Sequence, residues 1–301
     1  MNNYCDEILK VLIYYEMFQY PLTKNELFER SKLSREEIES GVEELLTAKK
    51  IFRFGAFYSL QNNPSIEEHR IKRNQLAQKS IPKARFIAKI VANFPYIRGL
   101  FLSGSISKDC MDENSDIDFF IVAAPNRLWI ARLACIVFKK IFLLNSTKFF
   151  CFNYIIDSEH LKFEDHSLFI ATEISTLIPV YGEEYYTAIL DKNGWITDFS
   201  PNFPKRKMIE KAKSQPFIQR MAESFFNNSF GDWLDNWLLN KTVEINKKRH
   251  DPKLFNNPKY YLNFQKHVAK SHTTDNYPTI LKVYRERIQE YTQKCTAGQN
   301  A

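Results

Sequence analysis

Apolar and polar positions alternate along the chain in segments that predict its elements. Residues 4–18 place apolar side chains at helical spacing. Thr23 followed by Glu26, and Ser34 followed by Glu37, are capping-box signatures that open two further helices. The second of these runs to about Ala48 on a stripe of Ile38, Val42, Leu45 and Leu46. The stretch IFRFGAFYSL then predicts two short strands turning at Gly55. Residues 66–94 predict a helix with a kink at Pro82, where the ring removes a backbone donor. The runs IRGLFLSGS, SDIDFFIVAA and KFFCFNYIID predict three strands, with a helix over Leu128 to Leu144 between the last two. Residues 166–190 and most of 205–292 predict helix, with a looser stretch around Asp251 to Pro258.

This pattern divides the 301 residues into an N-terminal unit (1–62), a central unit with a leading helix (63–200) and a mainly helical C-terminal region (201–301), an α+β chain. Three helices and a hairpin at these lengths make the first unit a winged helix, a helix-turn-helix variant. Its third helix carries Glu36, Glu37, Glu39, Glu43 and Glu44 with Arg35 alone near the start. Since phosphate neutralisation by Lys and Arg supplies most non-specific DNA affinity, that face argues against direct DNA contact. The net charge of +7 is unevenly distributed: the acidic segment 99–200 has 8 basic against 14 acidic residues. It lies between 63–98, with 8 against 2, and 201–301, with 18 against 9. Carboxylates flanked by cationic surface suit a metal site that receives a polyanion.

The five cysteines are scattered without a C-x-x-C pair, which predicts a reduced, cytoplasmic protein without a structural zinc site. The N-terminus lacks the basic and apolar run of a signal peptide, and the most apolar window, Leu128 to Leu144, contains Arg132, Lys139 and Lys140. That composition predicts an amphipathic buried helix and no membrane partner.

The chemistry-bearing stretch is LFLSGSISKDCMDENSDIDFFIV, Leu100 to Val122. Asp116 and Asp118 stand two apart at a strand and share a face; carboxylates so placed repel unless a cation lies between them. Hard oxygen donors of this kind suit Mg²⁺, which takes further ligands from water and substrate phosphates. Gly104 permits close backbone approach to a phosphate, and Ser105 offers a hydroxyl and an N–H.

An apolar strand ending in Gly-Ser, about ten residues, and then D-h-D-h (h apolar) resembles the signature of the nucleotidyltransferase superfamily with the DNA polymerase β-like palm. The resemblance runs from Phe101 to Ile121, and the layout is similar to bacterial nucleotidyltransferase-domain proteins with an N-terminal winged helix. It implies a palm of mixed sheet and helices. It also implies Gly104 and Ser105 on the β- and γ-phosphates of an NTP, and Asp116 and Asp118 on two Mg²⁺ ions. The implied reaction is transfer of an NMP to an acceptor hydroxyl on a small molecule, a protein or a nucleic acid. Two positions depart from the signature. Ser103 precedes Gly104 where an apolar residue is common, and the next core strand has Asn153 at its centre where the family usually adds a third carboxylate. Asn can coordinate a metal through its carbonyl but cannot act as a base. Asp157, four residues on, reaches such a site only if the strand end curls inward. Two alternatives therefore stay open beside the enzyme: a nucleotide-binding regulator that has lost its base, and a nucleic-acid-binding module using the basic segments. Arg127 and Arg132 are weaker phosphate candidates, Trp129, Trp233 and Trp237 weaker base-stacking candidates, and the six His show no H-x-x-x-H pair.

Overall fold

The computed structural model describes residues 2–208, 217–249, 262–271 and 277–297. The chain is α+β. Its N-terminal part contains helices α1 (Asn3–Glu16), α2 (Lys24–Glu29) and α3 (Arg35–Thr47). Strands β1 (Leu22–Thr23), β2 (Phe52–Phe54) and β3 (Phe57–Ser59) form an antiparallel sheet in the order β1-β3-β2. Both capping boxes form, with Thr23 and Ser34 each accepting from the backbone N–H three residues on. Ile8, Leu12, Leu27, Ile38, Val42 and Leu45 close one core beneath them.

Helix α4 (Ser65–Val91) runs unbroken through Pro82 and leads to β4 (Ile97–Ser103), the one-turn α5 (Gly104–Ser107) and β5 (Asp118–Ala123). Helix α6 (Leu128–Phe142), β6 (Cys151–Asp157), α7 (Leu168–Ser175), β7 (Ile178–Tyr181) and α8 (Glu183–Lys192) follow. Then come α9 (Phe217–Phe226), α10 (Ser229–Arg249), the hairpin β8 (Leu262–Gln265) and β9 (Val268–Ser271), and α11 (Tyr277–Ala297). The main sheet has the order β7-β4-β5-β6-β9-β8; β5 and β6 are parallel and the other neighbours antiparallel.

Helices cover both faces of this sheet, and the period-2 alternation of β5 sends its side chains into two cores. Phe119, Ile121 and Ala123 join the core under α4 and α6, whereas Phe120 and Val122 join the one under α7 and α8. Asp118 has the parity of Phe120, so it faces α7.

Two expectations from periodicity change here. Residues 166–190 contain a strand: β7 pairs with β4 at the sheet edge, where Pro179 can sit without breaking an inner ladder. The C-terminal region contributes β8 and β9 to the same sheet, with Leu262 and Phe264 buried and Asn263 and Gln265 turned outward. Four-residue strands are too short for their alternation to stand out from helical surroundings. The expected loose stretch Asp251 to Pro258 lies outside the described residues. Among the described residues, no helix is long and apolar enough to cross a membrane, and Cys5, Cys110, Cys135 and Cys151 are free and buried.

Candidate active site

Gly104 and Asp118 meet because β4 and β5 pair with Ser103 opposite Asp118. Gly104 has φ +66°, a left-handed conformation that favours glycine. A Cβ there would overlap Asp118 Oδ2 and lie 3.1 Å from Asp118 Cγ. The glycine is thus required twice, by its backbone and by its neighbour.

Asp116 lies just before β5, and the segment is held extended through Ile117. The Ile117 N–H donates to the Lys148 carbonyl (3.1 Å), and its own carbonyl accepts from Cys151 N–H (2.9 Å). Ser103, Gly104, Ser105, Ser115, Asp116 and Asp118 line one side of a cavity of about 410 Å³. All four residues singled out from the motif are therefore brought together. Asn153 lines the cavity as well.

Burial, with the nearby Asp116 and Glu173, pushes the Asp118 carboxyl up to about 6 against a hydrogen bond from Cys151 and the charge of Lys108. Cys151 stands opposite Asp118 in the parallel ladder, and burial beside that carboxylate pushes its thiol up to about 12. Asn153 Nδ2 donates to Cys151 Sγ at 3.0 Å. The amide thus braces the cysteine that bonds the carboxylate.

Three residues of this site carry no motif. Glu173 enters from α7, on the face it shares with Phe169, Ile170 and Ile174. Its carboxylate is 2.9 Å from Lys108 Nζ, which also donates to the Gly104 carbonyl at 3.1 Å. Lys108 thereby ties the glycine turn to α7. Lys270, from β9, lines the cavity beside Tyr154, its partner in the sheet register. Only the Ser/Gly/Asp cluster has fixed local spacing; Glu173 and Lys270 arrive through packing, and no local signal marks them.

The loop between Gly104 and Asp118 is anchored to the N-terminal part. Tyr20 Oη donates to the Lys108 carbonyl (2.6 Å), and Arg73 bonds Asp112 (3.1 Å) and the Phe18 carbonyl (3.1 Å). Arg70, buried on α4, donates to Glu26 (2.8 Å), to Tyr20 Oη (2.5 Å) and to the Pro21 carbonyl (2.8 Å).

The remaining candidates lie elsewhere. Asp157 is opposite Ala123 at the far end of β5, where it accepts from the N–H groups of Glu159 and His160, both at 3.0 Å. It caps a turn and does not curl into the site. Arg127 pairs with Asp232 (2.6 Å), and Arg132 lies over the ring of Trp129, which is itself core. Trp233 and Trp237 are exposed on α10. None of these lines the cavity.

Among the described residues, no group of three or more His, Cys, Asp or Glu is arranged to hold a metal by itself. A site with two carboxylates converging on a pocket can take a divalent ion only when water or a ligand completes the shell. Comparison with family models, with curated proteins and with solved structures gives no match to this chain.

Proposed function

We propose that the protein is a Mg²⁺-dependent nucleotidyltransferase that moves an NMP from an NTP to an acceptor hydroxyl. The observation that carries the reading is the joint lining of one cavity by Gly104, Ser105, Asp116 and Asp118, with Asp118 pressed against a glycine that tolerates no side chain. On this reading the central sheet is the palm and the N-terminal helices and hairpin are a winged helix. The exposed face of α3 is acidic (Glu36, Glu37, Glu39 and Glu43), and Arg35 packs over Phe28 at 4.1 Å. That supports a packing role for the N-terminal part: Tyr20 holds the site loop, Arg73 of α4 ties the Phe18 carbonyl to Asp112, and α3 offers DNA an acidic face.

The donor set fits Mg²⁺. Asp116 and Asp118 offer hard oxygens, and their mutual repulsion together with burial of Asp118 favours a cation at that point. When bound, the metal would polarise the phosphates and lower the barrier to deprotonating the acceptor hydroxyl. The acceptor oxygen bonds to the α-phosphorus, the bond to the β-phosphate bridging oxygen breaks, and pyrophosphate leaves. The acceptor proton passes to a carboxylate or to water. Ser105 and the backbone of the Gly104 turn would orient the phosphates.

A regulator that binds nucleotide without turnover is favoured by one observation: β6 supplies Asn153, engaged with Cys151, where an acid would be expected. Pyrophosphate release by the purified chain with each NTP and Mg²⁺, in cell extract that supplies acceptors, separates the two readings. Release that is abolished by Asp118→Asn establishes transfer. Mg²⁺-dependent binding without release leaves the regulator, and absence of binding removes both.

A further inference from the structure

The cavity behind the carboxylates has a character that the motif does not specify. More of its wall is apolar than polar, and the apolar part is built from rings: Phe120 on β5, Tyr154 on β6, Phe163 in the loop after β6, and Phe169 on α7. Phe120 packs edge-on to Tyr154 at 5.1 Å, and Tyr154 edge-on to Phe163 at 6.0 Å, so the rings form a preset wall. Ile170 and Ile174, on the same face of α7, complete it. The whole cavity, its carboxylate side included, is about 410 Å³, so the ring-lined part has room for one small ring.

We infer that this half of the cavity is the acceptor subsite and that the acceptor is a small molecule with an apolar aromatic ring bearing a hydroxyl. The inference rests on the nucleotidyltransferase reading. The chemistry of the wall separates such a ring from the base of the nucleotide. A nucleobase carries several donors and acceptors on its edge, and burying them without partners is costly. Among the described lining residues, Asn153 is the single side-chain amide, and one of its two N–H donors goes to Cys151, which leaves one donor and one acceptor for the edge of a base. The polar groups otherwise cluster with Asp116 and Asp118, apart from Lys270 and the Tyr154 hydroxyl. An apolar ring leaves no unpaired edge there, and its hydroxyl is directed toward the carboxylates.

Saturation-transfer NMR of the full chain with 2-naphthalenemethanol, with and without Mg²⁺-ATP, tests the proposal. The probe is expected to bind together with Mg²⁺-ATP, and adenosine is expected not to displace it. Phe163→Leu, which keeps apolar volume and removes the ring, and Phe169→Ser at a half-buried position should each weaken the probe about tenfold. Displacement by adenosine assigns the rings to the nucleobase and overturns the inference. So does failure of the probe to bind while Mg²⁺-ATP still does. Binding of the probe without any binding of Mg²⁺-ATP keeps the aromatic subsite and removes the nucleotidyltransferase reading.

Discussion

Gly104, just past the end of β4, is in contact with Asp118 at the start of the adjacent antiparallel β5, and the space a side chain at Gly104 would need is filled by the Asp118 carboxylate. The conformation at Gly104 (φ +66°) is independently unfavourable for other residues. Gly104→Ala should therefore lower stability by about 1–3 kcal/mol and displace Asp118. The expected outcome is a lower melting temperature together with loss of Mg²⁺-ATP binding in a calorimetric titration. Unchanged binding in a folded variant would separate the glycine from the carboxylate's function.

Asp118 is held against its own ionisation. Its carboxyl is raised to about 6, first by burial and then by Asp116 and Glu173. A raised carboxyl favours the fold fully below the unfolded value, near 3.9, and loses that contribution as pH rises through about 6. Asp118→Asn should accordingly raise the stability of the ligand-free protein at pH 7.5, by up to about 2 kcal/mol, and the gain should fade toward pH 4. Thermal melts across pH check this. The same variant should lose Mg²⁺-ATP binding, so the residue trades stability for function.

Glu26 shows the opposite sign. Burial alone would raise its carboxyl, but Arg30 and Arg70 outweigh that and hold it below the usual range. Its contribution is present above the unfolded Glu value and is lost as pH falls through the lower folded one. Arg70→Met removes the 2.8 Å partner and leaves Arg30, 3.6 Å away, as the carboxylate's remaining cation, a loss of about 1–3 kcal/mol. Denaturant melts at pH 7 and pH 4 should show a smaller penalty at the lower pH. An equal penalty at both would mean that packing of the arginine, over the Tyr20 ring at 3.6 Å, carries the effect.

Asp235 holds the start of α6 by accepting from the N–H groups of Trp129 (2.9 Å) and Ile130 (3.0 Å). Asp235→Ala leaves two buried donors unpaired and should cost about 1–2 kcal/mol. Chemical denaturation would measure it. Because the site lies across the sheet at the other end of β5, ligand binding by the folded fraction should be unchanged.

Tyr20→Phe removes the hydroxyl that donates to the Lys108 carbonyl at 2.6 Å while keeping the ring in the core. The site loop should loosen without global unfolding. Because the same hydroxyl accepts from buried Arg70 and bonds Glu26, the expected result is weaker Mg²⁺-ATP binding together with a stability loss of about 1–3 kcal/mol, and equal affinity in the folded variant would show that Arg73 and Asp112 suffice to hold the loop.

Much of this protein was legible locally. Both capping boxes, the stripe on α3 and the strand leading to Gly104 follow from short-range rules of backbone donors, helical period and strand alternation, whereas Asp116, expected on the strand with Asp118, lies before β5 and meets Asp118 at the cavity. The sequence alone therefore marked the central strands, with β5 and β6 beginning a few residues later than the runs that predicted them, and placed glycine, serine and two acids near their ends. Tertiary structure decided what those ends face. Glu173 and Lys270 lie far along the chain from Asp118 and reach the cavity because α7 packs on the sheet and β9 pairs with β6. Asp157, four residues beyond Asn153, is carried away because a strand is extended and its far end lies opposite Ala123. Short strands such as β7, β8 and β9 gain their backbone partners only across the sheet, so their identity as strands is a property of the assembled fold. The ring-lined cavity has the same origin, since β5, β6 and α7 each contribute side chains that no local pattern brings together.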